Sequence, residues 1–172
     1  QVALAYDLLL SAPETAGGSP PLLTAGERAR IERDLLLEGA RFVIWDPRLN
    51  NKTTTNRSAA AMIGAILGRR HLVVWGLSGF VRAVCEWNAP DGATGESFGY
   101  NLMVWHGLWR VPEMMRHGVT AAGLPPVDFY AWPRLRAVMR GLTQPLLPGS
   151  LEYPWWSHTT APAHLSALLA HW

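Results

Sequence analysis

A chain of 172 residues with 49% hydrophobic content is long enough for one cored domain, or for part of a larger one. Its net charge of +2 is carried almost wholly by arginine, Lys52 being the only lysine. The arginines at 28, 30, 33, 41, 134, 136 and 140 lie scattered through amphipathic segments, the pattern of solvated helix surface rather than of a nucleic-acid stripe. The longest apolar run, Leu72 to Val84, carries Arg82 and falls short of the roughly 20 residues that a membrane span needs, so a soluble domain with neither membrane nor nucleic acid as partner is predicted. The modest basic excess suits an acidic polymer.

The first element is a helix over Val2 to Leu10, where Val2, Leu4, Ala5, Leu8 and Leu9 repeat at helical spacing. The chain is already inside this pattern at its first residue, and no positively charged start precedes an apolar core and cleavage site. Both features are expected of a piece of a larger protein. After a loop over Ser11 to Leu23, Thr24 with Glu27 three residues on forms a capping box. Ile31, Leu35, Leu36, Ala40, Val43 and Ile44 then continue a helix in period. A loop over Trp45 to Thr55 leads to a helix from near Asn56 to Leu67. Its alanines allow close approach of a neighbour, and Gly68 is placed to end it.

A third helix is predicted from Leu72 to Trp87, with Cys85 alone in it. A single cysteine forms no intrachain disulfide and is expected to pack as a small core residue. After Asn88 to Gly95 comes a helix over Phe98 to His117, with Pro112 as a kink and Gly118 as the stop. A loop over Thr120 to Val127, a helix over Phe129 to Leu142, a loop over Gln144 to Pro162 and a final helix over Ala163 to His171 complete the chain. Strand-like alternation is scarce. Helices joined by Pro-, Gly- and Ser-rich loops predict an all-α fold of antiparallel helical hairpins.

Two stretches carry candidate chemistry. In Asp91-Gly92-Ala93-Thr94-Gly95-Glu96-Ser97-Phe98-Gly99-Tyr100-Asn101, the spacing of four puts Glu96 and Tyr100 on one helix face, near a helix start. Unpaired N–H groups and the positive dipole end there favour a phenolate, which suits a tyrosine base. In Asn50 to Arg57, amides, hydroxyls and the cations of Lys52 and Arg57 gather before a helix. Aimed at one point, they would bind a carboxylate and stabilise extra negative charge on it. The alternative is that Thr55 or Asn56 caps the helix and the rest is a solvated loop.

Nine tryptophans is a heavy load. Trp45 and Trp105 lie nearest the two stretches and are the candidates for stacking on a sugar face, although apolar rings at helical spacing more often form core. No metal-ligand pattern, Gly-x-Ser-x-Gly elbow or P-loop occurs, and neither metal nor cofactor is called for.

Ala5-Tyr6-Asp7-Leu8-Leu9, Leu23-Thr24 with Glu27-Arg28 and Ile31, Asn51 to Asn56, and Asp91-Gly92 with Glu96 and Tyr100 follow one another in an order that resembles the α/α-toroid domain of the heparinase II/III-like and alginate lyase superfamily, to which dermatan sulfate epimerase also belongs. The similarity covers Val2 to about His117. It implies that residues 1–172 form part of an (α/α) toroid that binds an acidic polysaccharide in a groove, with a β-sheet domain to follow. It also implies a periplasmic or secreted location.

By that resemblance Asn51 neutralises a uronate carboxylate and Tyr100 exchanges the proton at C5. Glu96 and Asn56 match accompanying motif positions and support; Lys52, Arg57, Trp45 and Trp105 are the further candidates for substrate contact, from their places in or near the two stretches. Lys52 stands where the family commonly has His. Its ammonium neutralises a carboxylate as a point charge but offers no neutral imidazole near pH 7. The implied activity is that of a polysaccharide lyase acting by β-elimination. The rivals are a uronyl C5-epimerase, a non-catalytic glycan-binding or scaffold domain, and an α/α-barrel glycoside hydrolase using Asp91 and Glu96 as an acid and base pair.

Overall fold

The computed structural model describes residues 2–11, 21–46, 48–92 and 104–143. Among them the fold is all-α, and an isolated antiparallel bridge joins Val119 to Leu124. The predicted helix over Ala163 to His171 lies outside the described residues, as do Glu96 and Tyr100. No helix among the described residues is long and apolar enough to cross a membrane.

Helix α1 (Val2–Ser11) buries Ala3 and Tyr6. The Tyr6 hydroxyl donates to Glu32 Oε1 at 2.6 Å, tying α1 to the next rod. That rod opens with α2 (Ala25–Arg30), where the predicted capping box is formed: the Glu27 N–H donates to Thr24 Oγ1 and the Thr24 N–H to Glu27 Oε2. It continues through a π-helical stretch, Ile31–Leu37, into α3 (Glu38–Ile44), with helical backbone angles at each junction. The wider π turn breaks the 3.6-residue period. Leu36 and Ala40 stay buried, whereas Leu35, expected on the apolar stripe, is half exposed.

The centre of the fold is the hairpin of α4 (Thr53–Ile66) and α5 (Arg70–Arg82). Helix α4 ends in a Schellman turn. Gly68 takes φ +63°, its N–H donates to Ala65 O, and the Arg69 N–H donates to Gly64 O at 2.7 Å. The link is so short that α5 must return along α4. A methyl group added to Gly64 would meet Leu72 and Val73, one on Gly76 would meet Ala61, and one on Gly79 would meet the Arg57 side chain. Those pairings descend one helix as they climb the other, the signature of antiparallel packing, and they put bare backbone at the contact.

A π-helical turn, Ala83–Trp87, extends α5. Cys85 in it is exposed, contrary to the expectation of a core cysteine, because Ala83 and Val84 take the inward face of that turn. Residues 104–108 are helical, the chain turns at Trp109, and α6 (Arg110–Arg116) follows. The break therefore falls ahead of Pro112 rather than at it. A proline ring clashes with the carbonyl four residues back, here Leu108, so the turn opens there and Pro112 sits in the first turn of α6, where its missing N–H costs little. Gly118 (φ +75°) stops α6 as predicted.

The last predicted helix is likewise divided. Asp128 caps a 3₁₀ turn, Phe129–Ala131, Trp132 is extended, and Pro133 opens α7 (Pro133–Thr143). Two apolar cores flank α4. The larger contains Phe80, Val104, Leu108, Val111, Leu135 and Val138, and the smaller joins Tyr6, Leu36, Ile63 and Leu72.

Segment 104–108 packs so closely on the first turn of α4 that a methyl group on Gly107 would overlap the Thr54–Thr55 peptide. Gly107→Ala is expected to destabilise the fold by about 1–3 kcal/mol or more. Gly39→Ala, where a methyl group meets nothing within 4 Å, is expected to stabilise it by about 0.5–1 kcal/mol. Urea unfolding midpoints of the two variants check this, and similar midpoints would contradict the close approach.

Candidate functional site

The site suggested by the sequence is built on the entry to α4. The helix starts at Thr53, two to three residues earlier than the caps proposed from sequence, because Asn50 forms the turn before it. Asn50 Oδ1 accepts from the Lys52 N–H at 2.9 Å, and its carbonyl accepts from the Thr53 N–H. Thr53 Oγ1 accepts from the Asn50 N–H at 2.8 Å and donates to Arg48 O at 3.0 Å. Asp46 braces the start of the loop, taking Nε and a terminal nitrogen of Arg48 and, at 3.4 Å, the Asn50 amide.

Part of the predicted donor cluster is thus consumed internally. What remains is Asn51 and Asn56, both half-buried, whose side chains make no hydrogen bond to a described residue, and the exposed ammonium of Lys52. Trp45, at the end of α3 just before Asp46, is 85% exposed.

Arg57 lies one turn into α4 and is 7% exposed. Its guanidinium carbon sits 3.4 Å from the Trp75 ring centroid, and no carboxylate lies within ion-pair distance among the described residues. Burial, with the like charge of Arg82 second, pulls its pKa below the usual arginine value. A cation held this way adds a positive field to the loop more readily than it reaches a ligand. Its place comes from Gly79, which leaves room for the arginine stem.

Trp105 departs from the stacking expectation. It is 3% exposed, packed in the larger core, and its indole N–H has no acceptor among the described residues. The helical spacing that brought it near the motif also turned it inward with Val104 and Leu108.

Between the two predicted stretches the structure supplies a bridge. Thr54 Oγ1 donates to Val104 O at 2.6 Å and Ser58 Oγ to Gly107 O at 2.6 Å. Val104 follows Tyr100 by four residues, a covalent reach of at most about 14 Å.

At the other end of the Asp91 to Tyr100 stretch, Gly92 (φ +94°) is buried against the Ala137 carbonyl of α7. Arg134 of α7 donates to the carbonyls of Val84, Cys85, Asn88 and Ala89. It closes the C-terminal end of the α5 rod and fixes the run into Gly92. Sequence reasoning placed Arg134 among surface arginines. The only local hint to the contrary is its position just after Pro133, at the start of a helix where a cation has no favourable dipole.

No group of three or more His, Cys, Asp or Glu side chains suited to a metal ion occurs among the described residues. Comparison with protein-family models, with curated proteins and with solved structures gives no match for this chain.

Chiefly through its hydrogen bonds from the Arg48 guanidinium, the carboxyl of Asp46 is held at about 2. A folded value below the unfolded one means that its contribution to loop order is complete above pH of about 4 and is lost as pH falls through about 2. Carbon-detected NMR titration should place the Asp46 midpoint near 2. A midpoint near the ordinary aspartate value of about 3.9 would show that the brace is not formed.

Proposed function

We propose that the chain is part of an (α/α) toroid of a periplasmic or secreted polysaccharide lyase, cleaving a uronic-acid-containing glycan by β-elimination, with a β-sheet domain following it in the whole protein. The observation that carries this is the bond between Thr54 and Val104, with Gly107 against the Thr54–Thr55 peptide. It joins the first turn of α4, next to the Asn51 loop, to the segment that begins four residues beyond Tyr100, and so supports a reading in which the two stretches act together.

The C5 proton of a uronate is weakly acidic, so its removal requires stabilisation of the enolate-like anion formed at the carboxylate. Asn51 and Lys52 supply donors for that charge at the positive end of the α4 dipole, and Arg57 adds a fixed positive field behind them. Tyr100, as phenolate, takes the proton. As a phenol it then returns a proton to O4 as that bond breaks, leaving an unsaturated uronate. Glu96 and Asn56 support the tyrosine and the loop, and Trp45 offers a face for a flanking sugar. The antiparallel α4–α5 hairpin is the unit from which such toroids are assembled.

The test is the full-length protein with alginate, heparan sulfate and dermatan sulfate as substrates, followed by ultraviolet absorbance of unsaturated products. Tyr100→Phe and Asn51→Ala are each expected to lower kcat by about 10²-fold or more. Unchanged turnover in Tyr100→Phe overturns the assignment. Inversion at C5 without chain cleavage identifies a uronyl epimerase, and reducing ends without unsaturation identify a hydrolase.

A further inference from the structure

A concavity lies at the opposite end of α4 from the Asn51 loop. It encloses about 340 Å³, toward the small end of the range for small-molecule sites, and its walls are Leu4 of α1, Met62 and Ile66 of α4, and Trp109 and Met114 around α6. Two charged residues of α6 line it, Arg110 and Glu113, three apart and so on one face of that helix.

Such a pair ordinarily forms an ion pair, but here it does not. One oxygen of Glu113, Oε1, accepts the Tyr130 hydroxyl at 2.6 Å, which holds the carboxylate toward Tyr130. Its other oxygen makes no hydrogen bond to a described residue. The guanidinium of Arg110 has no carboxylate within ion-pair distance among the described residues, and its Nε is buried without an acceptor. Its guanidinium carbon stands 5.8 Å from the Trp109 ring centroid, beside the apolar wall. The cavity therefore presents an unused donor fork and an unused carboxylate oxygen one helical turn apart, next to apolar and aromatic surface.

We infer that this cavity binds a small apolar zwitterion, an α-amino acid with an aromatic or large aliphatic side chain. Its carboxylate accepts from Arg110, its ammonium donates to Glu113 Oε2, and its side chain rests on Met62, Ile66 and Trp109. The balance of charge selects a zwitterion over a simple anion. Asp7 also lines the cavity, so its walls carry two carboxylates to one guanidinium, and a ligand bearing only negative charge would meet net repulsion. A ligand bearing only positive charge would leave the buried Nε of Arg110 without an acceptor. The site is independent of the lyase assignment, since it uses none of its residues.

Isothermal titration calorimetry of the full-length protein with L-phenylalanine, L-leucine and L-tryptophan tests this. Saturable binding is expected for at least one. For that ligand, the N-acetylated acid (no cation) and the decarboxylated amine (no anion) should each bind at least ~tenfold more weakly. Arg110→Met should weaken it by a similar factor, and Glu113→Gln should do so while keeping an acceptor for Tyr130. Absence of saturable binding by all three amino acids overturns the proposal. So does equal binding of either single-charge analogue, or binding untouched by Arg110→Met. If Arg110→Met does not fold, the analogue series decides on the unaltered protein.

Discussion

The fold depends on how closely other backbone approaches helix α4. Gly76 of α5 on one side and Gly107 on the other leave no room for a Cβ, so main chain meets main chain across both contacts. Approach at that range brings many weak dispersion contacts into play, but it also buries polar backbone that must find partners. The hydroxyls of Thr54 and Ser58 answer this by donating to the carbonyls of Val104 and Gly107. Alanine and glycine along α4 set the distance, and the two hydroxyls set the register. Everything attached to the ends of these segments inherits that placement, including the Asn51 loop at one end and the Met62 and Ile66 wall at the other.

Signals that act within a few residues were legible in the sequence. The Thr24–Glu27 box, the glycine stops at Gly68 and Gly118, and the small-residue face of α4 all follow from local geometry, and each stands where the pattern put it. Some of what escaped depends on partners far along the chain, and some on local winding. Arg134 reads as a surface arginine until the carbonyls of Val84 and Asn88, some fifty residues earlier, are brought to it. Leu35 and Cys85 lie in π-helical turns, where the wider winding moves residues off the stripe that a 3.6-residue period predicts. Pro112 was recognised as a disturbance, but the steric conflict it creates lies four residues upstream, so the break appears at Trp109 instead.

The candidate site was legible as a composition of donors and less so as a geometry. Counting amides and hydroxyls from Asn50 to Arg57 does not show which are spent on the loop itself. Asn50 and Thr53 are, because a helix beginning at Thr53 needs its preceding turn closed and its first N–H groups satisfied. Asp46 and Arg48 hold the loop from outside. The groups left over, Asn51, Asn56 and Lys52, are the ones that the internal hydrogen bonds do not use. Trp45 and Trp105 illustrate the same limit. Both lie near the motifs in sequence, yet the end of α3 leaves one ring in solvent, whereas the inward face of 104–108 buries the other.

The two ends of α4 differ in a way that explains their different chemistry. Its 14 residues span about 21 Å, from a first turn whose leading N–H groups have no intrahelical partner to a last turn whose carbonyls are closed by the Schellman bonds at Gly68. The first end keeps the positive bias of those N–H groups. The second has its last carbonyls taken up by the turn, and the charged groups of the cavity beside it come from neighbouring helices, Asp7 of α1 and Arg110 and Glu113 of α6. The tyrosine bond to one oxygen of Glu113 sets that carboxylate in place and leaves its other oxygen and the guanidinium beside it unused. The same close packing of α4 that places the Asn51 loop at one end gives the cavity at the other end its wall.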